Sequence, residues 1–127
     1  LMLGTVAAGY GKESWELNDE KIVVPPILMP KTGPVFALRA SGDSMIGAGI
    51  FDGDICIIKG AKEVSSLKTD EIVVFRVDGE TTIKYFERIK NHVWLKPANP
   101  SLKPLLLTEK HSVEVIGKLH SLMRLTA

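Results

Sequence analysis

From Ile22 onward, apolar residues come in short runs separated by Gly, Pro, Asp and Asn, a pattern of strands and turns rather than of helices. Runs rich in Val, Ile, Thr and aromatic residues predict strands over Ile22–Val24, Val35–Ala40, Asp54–Lys59, Glu71–Val77, Thr81–Ile89, Val93–Lys96 and Ser112–Met123. Asp78-Gly79 stands between two of these runs and can supply the positive φ values that a tight hairpin needs. Asp52-Gly53-Asp54 and Lys90-Asn91 punctuate in the same manner. Pro25-Pro26, Pro97, Pro100 and Pro104 interrupt pairing and mark loops or sheet edges. Met45–Gly49 predicts one helical turn, kept short by its glycines. No repeat, heptad or long helical period is present. The expected fold class is mostly β, a folded hairpin-rich sheet with little helix.

Composition narrows this picture. At 127 residues the chain suits one domain, and 45% hydrophobic with 24% charged residues is ordinary globular usage. The formal net charge is +1 and no long basic run occurs, so this segment lacks the electrostatic footprint needed to hold DNA by itself. Cys56 is the single cysteine, which excludes an internal disulfide and a cysteine metal cluster and fits a reducing cytoplasm. Its alternation with Ile55 and Ile57 reads as a small buried apolar residue. No apolar run approaches the ~18 residues of a membrane span, and no signal peptide is visible. Residues 1–20, with Gly4, Gly9, Gly11 and the polar Asn18-Asp19-Glu20, read as an extended, exposed segment and linker ahead of a domain over residues 21–127. The chain starts at Leu1 rather than Met, so we expect a piece of a longer protein with an N-terminal domain out of view.

Three stretches carry candidate chemistry. Ser41-Gly42-Asp43-Ser44-Met45 lies between a strand and a glycine-rich turn. A serine hydroxyl is a weak nucleophile that needs a fixed, exposed position and a neighbouring base. A strand-to-turn junction provides the position, and the amides of Ser44 and Met45 are natural donors to a developing oxyanion. Taken alone, the pentapeptide reads more readily as an ordinary loop. In Thr81–Phe86, alternation places Thr82, Lys84 and Phe86 on one face and Ile83 and Tyr85 on the other. A lysine desolvated beside an aromatic favours its neutral form, whereas the bland reading pairs it with Glu80 or Glu87. In Leu3–Tyr10, small residues flank Ala8–Gly9 and leave room for close approach of another backbone; a flexible linker would look the same.

Together the three stretches resemble the LexA-type family of self-cleaving repressors. Leu3-Gly-Thr-Val-Ala-Ala-Gly9 is similar to the family's scissile loop, Ser41–Met45 to its nucleophile motif, and Thr82-Ile-Lys84 to the strand bearing its general base. Their order and separations agree as well. Phe51-Asp-Gly-Asp54, Leu95-Lys-Pro-Ala-Asn-Pro100 and Val115-Ile-Gly-Lys118 add to the likeness, which runs from Leu3 to about Met123. Tyr85 departs from it, standing where the family often has a basic residue.

The resemblance implies a fold shared with signal peptidases and a serine endopeptidase that needs neither metal nor cofactor. Ser44 would be the nucleophile, neutral Lys84 its base, and Ala8–Gly9 the bond cut, with Leu3 and Val6 seating the loop. It further implies a cytoplasmic homodimer that binds operator DNA through a helix-turn-helix domain absent here and is stimulated by a RecA filament during DNA damage. Cutting would separate the DNA-binding part from the dimeriser. For the dimer contact we expect Ser112–Leu122 at an unpaired sheet edge, with Val113, Val115 and Gly117 on one face.

Other readings of the same residues are weaker. A phage repressor or a UmuD-like polymerase accessory protein would share the motifs, and signal peptidase I has a similar Ser–Lys pair but needs a membrane anchor. His92, His111 and His120 could enter a Ser–His–acid triad, yet no Asp precedes His111 or His120 by three positions, as the GDSL hydrolases require. Asp52 and Asp54 read as a turn, since no calcium-ligand series follows them. Trp15 and Trp94 read as packing groups without a basic groove beside them.

Overall fold

The Val- and Ile-rich runs do form strands, and the way they are buried explains their composition. The computed structural model describes residues 2–5, 13–17 and 20–125, with side chains from Ile22 onward. Its ten strands are β1 (Met2–Thr5), β2 (Glu13–Leu17), β3 (Glu20–Val24), β4 (Val35–Arg39), β5 (Ile55–Gly60), β6 (Ile72–Val77), β7 (Glu80–Ile89), β8 (His92–Lys96), β9 (Leu105–Leu107) and β10 (Val113–Met123). Eight of them make one antiparallel sheet in the order β1-β4-β5-β10-β6-β7-β8-β9, and β2 pairs with β3 in a hairpin of its own. Among the described residues the only helical pieces are 3-10 turns at Pro26–Leu28, Ile46–Ala48 and Val64–Ser66. The middle one falls inside the turn expected over Met45–Gly49.

Strands buried on both faces lose the polar half of the usual alternation. In β5, Ile55 and Ile57 face one apolar cluster with Ile22, Val24 and Ala37, while Cys56 and Ile58 face a second with Leu38, Met45, Val74 and Ile83. In β6, Val74 faces that second cluster while Val73 and Phe75 face a third, with Phe86 and Leu95. The expected buried place of Cys56 is observed, at 0% exposure. The β6–β7 hairpin turns through Asp78 (φ 50°) and Gly79 (φ 81°), both in the left-handed region. Lys90, in the β7–β8 connection, also has positive φ.

Two features differ from the sequence reading. Three strands had no local signal: β1 pairs with β4 (Leu3 opposite Leu38), β2 pairs with β3, and β9 forms the edge beside β8. The stretch read only as extended therefore contributes two hydrogen-bonded strands. The second difference corrects the edge expected at Ser112–Leu122. β10 lies inside the sheet, pairing with β6 through Val113–Lys118 and with β5 through Gly117–Met123. It is long enough to pass from one neighbour to the other, and register shifts at Val115/Gly117 and Leu119/Ser121 accommodate the change. Gly117 is required at the crossover, because a Cβ there would run into the Lys59 carbonyl oxygen. Besides Ile116 at the register shift, Leu119–Met123 is the part of β10 without a β6 partner.

Candidate active site

The segment between β4 and β5 is pinned at its base and arched above it. Ala40 N donates to Asp54 O at 2.8 Å and Gly53 N to Ala40 O at 2.8 Å, closing a loop over residues 41–52. Inside this loop Gly42, at φ +82°, donates its amide to Asp52 Oδ1 at 2.8 Å. Asp43 O accepts from Ile46 N at 3.3 Å, which starts the 3-10 turn immediately after Ser44 and Met45. Met45 is buried in the central cluster and serves as the anchor, so that its neighbour Ser44 is left half-buried with its hydroxyl available.

A second loop, following β8, holds the turn from the side. Asn99, itself buried, donates through Nδ2 to Asp43 O at 3.0 Å. Gly47 N donates to Ala98 O at 2.7 Å, and Ala98 N approaches Met45 Sδ at 3.3 Å. Among the described residues, no acceptor pairs with the amides of Ser44 and Met45.

Lys84 comes from β7, opposite Val73 of β6. Its Nζ lies 3.1 Å from Ser44 Oγ, 2.9 Å from Thr82 Oγ1 and 3.1 Å from the Ile83 carbonyl oxygen. Thr82 and Lys84 thus share a face, as strand alternation requires. Burial holds the Lys84 ammonium below the usual lysine range, opposed by the negative charge of Glu80. The aromatic neighbour expected beside it, Phe86, is fully buried and stacks on Phe75 with ring centroids 6.4 Å apart. Cys56 is no rival nucleophile, since burial, and then Asp54, pushes its thiol up to about 12.

The structure brings Ser44, Met45 and Lys84 together. Leu3 is on β1, with its backbone opposite Leu38. Val6, Ala8 and Gly9 lie outside the described residues. His111 Nδ1 is taken up by Thr108 N at 3.0 Å, and the titratable side chain bonded to Ser44 Oγ is Lys84. A cavity of about 370 Å³ lined by Asp70, Tyr85, Phe86, Lys96 and Pro97 shares β7 with Lys84, yet neither Ser44 nor Lys84 lines it. Among the described residues, no three of His, Cys, Asp and Glu gather as metal ligands would. No helix of these residues is long and apolar enough to cross a membrane. Two contributors escaped the sequence reading. Thr82 shares a face with Lys84 but carries no sequence signal of a contact to its amine, and Asn99 lies in a motif whose role only tertiary contact reveals.

Comparison with known proteins gives the family of the chain. The model of the Peptidase S24-like family matches residues 1–120. LexA repressors of Bacillus thuringiensis (strain Al Hakam) and Bacillus anthracis are each 37% identical over 123 residues, covering 97% of this chain and 57% of theirs. The LexA repressor of Bacillus mycoides (strain KBAB4) is also 37% identical, with 58% of its length covered. The chain therefore spans a little over half the length of the curated relatives it matches.

Proposed function

This chain belongs to the Peptidase S24-like family, and from that premise we propose that it is the self-cleaving C-terminal domain of a LexA-type repressor, a Ser–Lys endopeptidase that hydrolyses its own Ala8–Gly9 bond. The observation that carries the reading is the 3.1 Å separation of Lys84 Nζ and Ser44 Oγ. A neutral lysine amine has two N–H donors and one lone pair. Thr82 Oγ1 and the Ile83 carbonyl oxygen take the two donors, which leaves the lone pair for the Ser44 hydroxyl proton. Burial of Nζ favours that neutral form.

The steps follow from these placements. Lys84 takes the Ser44 proton as Oγ attacks the Ala8 carbonyl carbon. The oxyanion that forms is held by the amides of Ser44 and Met45, which no other acceptor occupies among the described residues. Collapse breaks the Ala8–Gly9 C–N bond, and Lys84 returns the proton to the departing Gly9 amine. Lys84, neutral again, then takes a proton from water as the water attacks the Ala8–Ser44 ester, and Ser44 is regenerated. Leu3 and Val6 seat the segment that carries the bond.

For the whole protein, the relatives' name of repressor supports operator binding through a domain outside this chain. The unpaired flank of β10 at Leu119–Met123 supports a homodimer, which would hold two such domains on one operator. Cutting at Ala8–Gly9 then abolishes the avidity of the pair. Stimulation by a RecA filament and a cytoplasmic setting belong to the same reading, and the repressor relatives favour it over a polymerase accessory protein. Mass spectrometry after incubation at alkaline pH tests it. The parent should lose residues 1–8 and Ser44→Ala should lose nothing, whereas undiminished cutting of the mutant would remove Ser44 as nucleophile.

A further inference from the structure

Asp54 is the one charged side chain that is buried among the described residues, with 0% exposure. Both of its carboxylate oxygens are occupied. Oδ1 accepts from Arg124 Nε at 2.6 Å, and Oδ2 accepts from Arg124 Nη2 at 2.6 Å and from Phe51 N at 2.8 Å. Arg124, which directly follows β10, also donates from Nη2 to Gly49 O at 3.0 Å and lies 4.6 Å over the Phe51 ring. An ion pair with one partner buried and the other half in water is a poor source of net stability, because desolvating the carboxylate offsets much of the attraction. What it does supply is direction, through a planar fork with fixed angles.

That direction is aimed at the nucleophile turn. Gly49 closes the 3-10 turn Ile46–Ala48, its amide bonded to Ile46 O at 3.0 Å, while Ile50 N returns to Met45 O at 3.2 Å. The backbone of Asp54 holds Ala40, at the other root of the loop. The fork thus ties down the C-terminal end of the segment that carries Ser44 and the Met45 amide, and the residue it fixes, Asp54, holds the N-terminal root through its backbone. We infer that Asp54 and Arg124 are positioning residues for self-cleavage, which fix the Ser44 hydroxyl and the Met45 amide relative to Lys84 without touching the reacting atoms. The inference rests on the Ser44–Lys84 reading. Arg124 holds the Asp54 carboxyl below its usual range, so both partners stay charged from neutral to alkaline pH. Loss of the fork thus lowers the cleavage rate at every pH and leaves the midpoint of its pH profile to Lys84.

The test is the rate of residue 1–8 release against pH in Arg124→Ala, Arg124→Lys and Asp54→Asn chains, with urea unfolding of each. Arg124 has a 41% exposed side chain, so its truncation leaves the core intact. A misplacement near 1 Å costs on the order of 100-fold in rate, and that is the expected drop of the plateau in Arg124→Ala, with an unchanged midpoint. Millimolar guanidinium should restore part of it by filling the vacated site, and Arg124→Lys, lacking the fork, should recover little. A plateau within threefold of the parent would overturn the inference. So would a loss that disappears once rates are divided by the folded fraction, or one that guanidinium leaves untouched. Cutting by a Ser44→Ala chain run alongside would instead sink the Ser–Lys reading itself, whatever the Arg124 variants do.

Discussion

Replacing Lys84 by Met tests the proposed base through stability, independently of the reaction it performs. Burial depresses the Lys84 pKa in the folded state, whereas in the unfolded chain it sits near the ordinary ~10.4. Below the folded value both states are protonated, and the folded protein bears the full cost of a desolvated ammonium. Between the folded and unfolded values the unfolded chain binds more protons, so stability rises with pH, by up to about 1.4 kcal/mol per unit. Above the unfolded value the cost is gone. Methionine cannot titrate, so subtracting its unfolding free energy from that of the lysine protein isolates this rise. The three Nζ hydrogen bonds lost in the mutant, roughly 0.5–1.5 kcal/mol each, shift the difference by a constant and add no slope.

The measurement is urea unfolding followed by tryptophan fluorescence from neutral pH to about the lysine range, in a Ser44→Ala background to prevent cutting. The cleavage rate of the active chain, recorded over the same range, should climb close to tenfold per unit and then level off at the folded pKa. The two curves share one unknown. Each unit by which the kinetic midpoint falls below the unfolded value must reappear as about 1.4 kcal/mol in the stability difference. If the rate has an alkaline midpoint and the stability difference is flat across it, the group that titrates in cleavage is not Lys84. A rate already level by about pH 7.5 would point to a histidine instead.

Glu80→Gln removes the charge that opposes the depression of Lys84, so the cleavage profile should move to lower pH with its plateau unchanged. Raised salt should shrink the difference between the two proteins, and a shift to higher pH would refute the coupling. Gly47→Ala would place a Cβ 2.6 Å from Ala98 O, where Gly47 N now donates, and must push the nucleophile turn off its side support. We expect a loss of about 1–3 kcal/mol in urea unfolding and a larger proportional loss in cleavage; an unaffected rate would show that the Ala98 contact is dispensable.

How much was legible depended on how local the information was. The Ile55–Ile58 run announced a strand because all four residues are apolar or small, and Asp78-Gly79 announced its turn because few other pairs accept positive φ at both positions. Ser44 and Lys84 were legible as a motif, although neither stretch meant much without the other. β9 gave no signal, since three leucines behind a proline have no strand period, and β8 supplies the missing order. The interior place of β10 was hidden because a strand's own alternation does not say how many neighbours it has. Asp54 and Arg124 stand 70 residues apart, and nothing near either one predicts the other. Asn99 is similar: its side chain has meaning only after the β8 loop has folded against Asp43.

The stagger of β10 has a consequence for timing. Ser44 hangs from β4, on the side of the sheet that continues into β5, and Lys84 sits on β7, on the side that begins with β6. Among the described strands, β10 alone is hydrogen-bonded to both sides, and it is the last of the ten in chain order. A ribosome therefore delivers the serine and the lysine well before the strand that sets one side of the sheet against the other. On the Ser44–Lys84 reading proposed above, the nascent chain holds both groups before β10 can pair across the two sides, which would delay self-cleavage until that strand is in place.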